Sequence, residues 1–101
     1  MATYDTTMPD MPHAGARAKI CGNGQIAQDE CPGWPSNDQV ISGCLQQMWN
    51  EGPPPSEPCD GACFQAHGHF INMSSTTSKR VACGFATDAQ GAIWAVQNFS
   101  L

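Results

Sequence analysis

The pattern that most limits what this chain can become lies near its C-terminus. Val81, Cys83 and Phe85 alternate with small residues, and Ile93 to Phe99 (IWAVQNF) forms a second apolar run. Between the two, Thr87-Asp88-Ala89-Gln90-Gly91 has the composition of a turn. Alternation on both sides of a short Gly-containing loop predicts an antiparallel hairpin. The segments upstream must then cover that sheet and bring polar groups toward His67-Gly68-His69, the densest pair of candidate ligands.

At 101 residues the chain, 1–101, is expected to be a single domain with a thin core. Charged residues make up only 13%, against 41% hydrophobic residues, which excludes a disordered chain and fits a loop-rich globular one. A net charge of −5 argues against a nucleic-acid partner and against charge-driven binding to an anionic membrane. No transmembrane segment is expected, because no apolar run approaches the length of a bilayer span.

Six cysteines, Cys21, Cys31, Cys44, Cys59, Cys63 and Cys83, are an even count in a small chain. They predict disulfides at all six positions and an oxidising, extracellular location. Connectivity stays open. The competing reading is a zinc–thiolate site, but only Cys59 and Cys63 are closely spaced, with no second pair to complete it. Residues 1–7 lack the basic start and apolar run of an export signal. A secreted product would have lost its signal, or would belong to a longer precursor.

Residues 1–12, with Pro9 and Pro12, predict an irregular lead with at most one helical turn. His13 to Ile20 can form a short helix weakened by Gly15, and Gly22-Asn23-Gly24 a tight turn rather than a phosphate loop. Residues 28–36 (QDECPGWPS) predict irregular structure, with Trp34 lying as a lid on the core. Ser36 opens the clearest helix, with Gln39 completing a capping-box pattern and Asp38 in the first turn. Val40, Ile41, Cys44, Leu45, Met48 and Trp49 fall at helical spacing and predict one apolar stripe. Gly52 and Pro53-Pro54-Pro55 stop it. A rigid Pro-rich loop pinned by Cys59 or Cys63 leads to a second short helix from Phe64 to Met73.

His13, His67 and His69 are the only histidines and the natural metal-ligand candidates. His67 and His69 share a face only on extended backbone; on a helix they point apart. Three histidines are also an ordinary number for structural and exposed roles. Glu51 ends the amphipathic helix, where it either faces a pocket or is a solvated helix end. Ser42 and Ser74-Ser75 lack a nucleophile frame, so no catalytic residue is assigned.

Gly68-His69-Phe70, Asn72-Met73, Val81-Ala82-Cys83-Gly84 and Trp94 to Phe99 occur in that order. Together they resemble the C-terminal half of the CAP superfamily: cysteine-rich secretory proteins, antigen 5 and pathogenesis-related proteins. Upstream, His13 followed by Gly22 to Ala27 resembles the family's His followed by G-E-N-L/I-A. Val40 to Glu51 resembles the helix that carries its W-x-x-E pattern. The chain departs at three places. Gly24, or Asn23 with a shift, stands where the family has its first carboxylate, Trp49-Asn50-Glu51 is one residue tighter, and the opening helix is missing.

The resemblance implies an α+β fold, an α-β-α sandwich around a small antiparallel sheet, disulfide-stapled, secreted and incomplete at its N-terminus. It implies a cleft with His13 and His69 as the paired histidines, holding zinc or another divalent metal in some members; Glu51 and, as an accessory, His67 are further candidates beside them. The functional expectation is a non-catalytic module binding a small apolar ligand, such as a lipid, or a protein partner. Two alternatives stand beside it. One is a metal-dependent hydrolase or peptidase using His13, His69 and Glu51; the other is a structural subunit of an extracellular assembly. A missing helix would expose an apolar sheet face for a partner, a second copy or an N-terminal segment to cover.

Overall fold

A computed structural model describes all residues from Met1 to Leu101. Helices α1 (Ala2–Thr6) and α2 (Ala14–Arg17) precede strand β1 (Gln25–Trp34). A continuous helix α3 spans residues 37–49: α-helical Asn37–Gln39, π-helical Val40–Leu45, then α-helical Gln46–Trp49. Helix α4 (Ala62–Ser74) leads to β2 (Arg80–Thr87) and β3 (Ile93–Ser100). The strands form one antiparallel sheet in the order β1-β3-β2, which makes β3 central. This is an α+β fold with helices on both faces of a small sheet.

The hairpin forms where the alternation places it. Asp88 N–H donates to Ala92 O at 2.9 Å and Gly91 N–H to Asp88 O at 3.0 Å. Gly91 takes φ 84°, the left-handed conformation this turn needs at its last position. Asp88 closes the loop further: its carboxylate accepts from Gln90 and Ala92 N–H and from the Trp94 indole. Those bonds hold the Asp88 carboxyl below its usual range.

β1 overturns the expectation of irregular structure over 28–36. Pro32 and Gly33 hide the strand from the sequence, yet β1 lies at the sheet edge, where a residue without N–H is tolerated. The register shifts between Cys31 and Trp34, so the Pro32-Gly33 pair is absorbed as a bulge.

Ser36 caps α3 as expected, its Oγ accepting from Gln39 N–H at 3.2 Å. The apolar stripe is narrower than its spacing predicts. Val40, Cys44 and Met48 are buried with Cys31 and Ala95, and Trp34, Leu45, Met73 and Ile93 pack around them. Ile41 and Trp49 face outward, 62% and 49% exposed. The π-helical turn is the physical reason. An extra residue per turn rotates the face that helical spacing would keep together.

Two disulfides form, Cys31–Cys44 between β1 and α3, and Cys59–Cys63 within the Pro-rich loop. The expectation that all six cysteines pair is corrected: Cys21 and Cys83 are free and exposed. Cys21 leads into β1 at one edge of the sheet, and Cys83 lies on β2 at the other edge with β3 between. Strands two apart are separated by about 10 Å, beyond the reach of a disulfide. No helix is long and apolar enough to cross a membrane.

Candidate functional site

The site gathers at the free edge of β1. Residues of β1 alternate between the two faces, and here Gln28 and Glu30 face α1 and α2 while Asp29 faces α3 and α4. His13, the residue before α2, adopts φ 56° and brings its ring to β1. Its Nδ1 lies 2.7 Å from Gln28 Oε1. Gln28 is itself oriented, because its Nε2 donates to Asn98 Oδ1 at 2.7 Å. Gln28 Oε1 is therefore an acceptor, and His13 carries its proton on Nδ1.

His69 is held in the same manner by a different partner. Glu51 Oε2 lies 2.7 Å from His69 Nδ1, and Glu51 Oε1 accepts from the backbone N–H of His69 at 3.0 Å and of Phe70 at 3.3 Å. A carboxylate only accepts, so His69 also has its proton on Nδ1. The Trp49 and Phe70 rings, with centroids 4.6 Å apart, tie the end of α3 to α4 beside this pair. Glu51 is thus tied to His69 and Phe70 from behind the cavity, and is not a free helix end.

Asp29 lies beneath, 1% exposed. Its Oδ1 accepts from Asn72 Nδ2 at 2.8 Å. Burial pushes its carboxyl above the usual range, against the opposing pull of the Asn72 hydrogen bond. Its Oδ2 has no partner, nor has Oε1 of Gln97, its cross-strand neighbour.

His13, Gln28, Phe64, Gln65, Gly68, His69 and Asn72 line one cavity of about 250 Å³. It adjoins a wider open cleft of about 760 Å³ that runs past His13, Arg17, Lys19 and Asn23. His13 and His69 therefore share one cavity, with Glu51 behind His69. His67 does not join them: its Nδ1 lies 3.0 Å from Gly52 O, which ties α4 to the end of α3. Sequence reading assigned no role to Gln28, Asp29 or Asn72. Asn72 falls inside the Gly68-His69-Phe70, Asn72-Met73 run that carries the resemblance.

No group of three or more His, Cys, Asp or Glu side chains converges to hold a metal ion. With both Nδ1 atoms turned to internal acceptors, the rings leave one Nε2 each. Two nitrogens fall short of the three or four protein ligands a zinc ion takes. The lining has no Ser, Thr or Cys to act as a nucleophile.

No protein-family model, curated protein or solved structure matches the chain.

Proposed function

We propose that the chain is a secreted, CAP-like binding module whose β1-edge cleft takes a hydrogen-bonding group presented by a protein partner, without turnover. The observation that carries this reading is the pair of imidazoles on one cavity that lacks a hydroxyl or thiol nucleophile. Each ring has its Nδ1–H committed inside the protein, which leaves each Nε2 as an acceptor for an N–H or O–H of the partner. The cavity lining is mostly polar, with Phe64 its one large apolar side chain. That composition suits a peptide's amide or hydroxyl groups better than an apolar small molecule. The two disulfides and the absence of a membrane-spanning helix accord with secretion.

Panning a random-peptide library against the folded protein tests the cleft. Selected peptides should bind His13→Ala and His69→Ala at least about ten-fold more weakly, the loss expected for one buried polar contact at an interface. Hydrolysis of peptide or ester substrates that His69→Ala abolishes would overturn the non-catalytic reading. Binding unchanged in both variants would remove the cleft as the site.

A further inference from the structure

The opposite edge of the sheet carries a second surface. No strand pairs with β2 on its outer side. Asp88 bonds inward to Ala92, so in antiparallel phase the even residues of β2 turn their backbone groups to β3. The N–H and C=O groups of Val81, Cys83 and Phe85 then face outward. Their side chains share the α3 face of the sheet, where Val81 is 56% and Phe85 60% exposed, and Cys83 is an exposed thiol. Ile41 of α3 stands beside them, lining the same small cavity as Cys83 and Phe85. An open backbone edge with an apolar stripe along it is what isolated soluble proteins usually block.

We propose that β2 is the docking edge for a second copy of this chain. The two β2 strands pair antiparallel about a twofold axis through Cys83, giving a continuous six-stranded sheet. The stripe is self-complementary in this register alone. Cys83 meets Cys83 of the other copy, and each Val81 meets the other copy's Phe85, so all three apolar residues find apolar cross-strand partners. A slip to the next permitted register sets Val81 against Thr87 in one direction, or Phe85 against Lys79 in the other. Charge favours the same arrangement. Lys79 and Arg80, two of the chain's four basic residues, sit at one end of β2, and Asp88 follows the other. Antiparallel pairing brings the basic end of each copy to the acidic end of its mate. This twofold, self-complementary contact is the ordinary form of a homodimer interface. It leaves the β1-edge cleft free, so it stands apart from the reading proposed above.

Sedimentation velocity across a wide concentration range tests the dimer, and Cys83 reports the register. In a Cys21→Ser background, diamide should join two chains at Cys83. Two thiols lose their hydrogens to the diazene, which becomes the hydrazine, and one S–S bond forms. Directly opposed residues in a hydrogen-bonded pair have Cα atoms about 5.5 Å apart, within disulfide range. Phe85→Lys should weaken the dimer and slow the cross-link by at least about ten-fold, through loss of an apolar anchor on each side. Val81→Lys should act alike, and both sites are exposed enough for the monomer fold to persist, which circular dichroism would check. A monomer at every concentration would overturn the proposal. So would a dimer that ignores both lysines, or one whose Cys83 thiols do not join.

Discussion

Glu51 shows how much one residue can organise. A single carboxylate accepts three hydrogen bonds from two successive residues of α4 and fixes both the position and the tautomer of His69. Glu51→Ala would leave the N–H groups of His69 and Phe70 without their acceptor in a partly buried setting. The expected cost is about 1–3 kcal/mol, read as a lower urea midpoint. Glu51→Gln should cost less, because an amide oxygen still serves the two backbone donors. In that variant the amide N–H₂ can face the ring, so nitrogen-correlated NMR should show His69 losing its Nδ1–H preference; an unchanged ring spectrum would refute the tautomer assignment. His13, His69 and Glu51 were legible in the sequence because ordered short motifs carry them. Gln28 and Asp29 were not, since their place depends on β1 passing beneath both histidines, and that is a long-range fact.

At the scale of elements, local chemistry was readable and packing was not. The hairpin and the cap at Ser36 are set by neighbours in sequence, and both formed where expected. β1 was hidden by Pro32 and Gly33, whose acceptability depends on an edge position that only the assembled sheet defines. Along α3, the outward turn of Ile41 and Trp49 follows from the π-helical stretch, which spacing rules assume away. Gly43 lies within that stretch, and two effects compete there. Alanine would favour the helix by about 1 kcal/mol on propensity alone. Its Cβ, however, would fall 2.5 Å from Trp34 Cζ3, against a ring packed on the core. Overpacking of that kind costs about 1–3 kcal/mol, so the packing term outweighs propensity. Gly43→Ala should lower the melting temperature, and a rise would mean that Trp34 moves aside at little cost.

For the whole molecule, the lead to the sheet is fastened by a shared proton, which makes stability depend on pH. Asp5 of α1, 1% exposed, accepts from Gly15 N–H at 2.6 Å and meets the carboxyl of Glu30 on β1 closely enough to share a hydrogen bond. Asp5 Oδ2 and Glu30 Oε2 find no other donor. A proton retained on Glu30 would supply it. Burial, then the bond to Asp5 and its charge, push Glu30 from 4.5 to about 7, against the weaker pull of the His13 N–H. A carboxyl raised in the folded state binds its proton more tightly there than in the unfolded chain. Its contribution is therefore fully present below pH 4.5 and is lost as pH rises to about 7. Asp29, raised by burial, acts in the same direction. Asp88, held low by its turn, acts oppositely, and its contribution is lost only as pH falls through the acidic range. The urea midpoint should fall between pH 4.5 and about 7 and level off above. Glu30→Gln keeps a donor toward Asp5 at every pH, so it should flatten that slope and exceed the wild type in stability at alkaline pH. Because the pair joins α1 to the sheet, hydrogen exchange at the bonded amides of Asp5, Thr7 and Met8 should accelerate first as pH rises, after correction for intrinsic rates. An unchanged slope in Glu30→Gln would show that the shared proton does not fasten this end of the molecule.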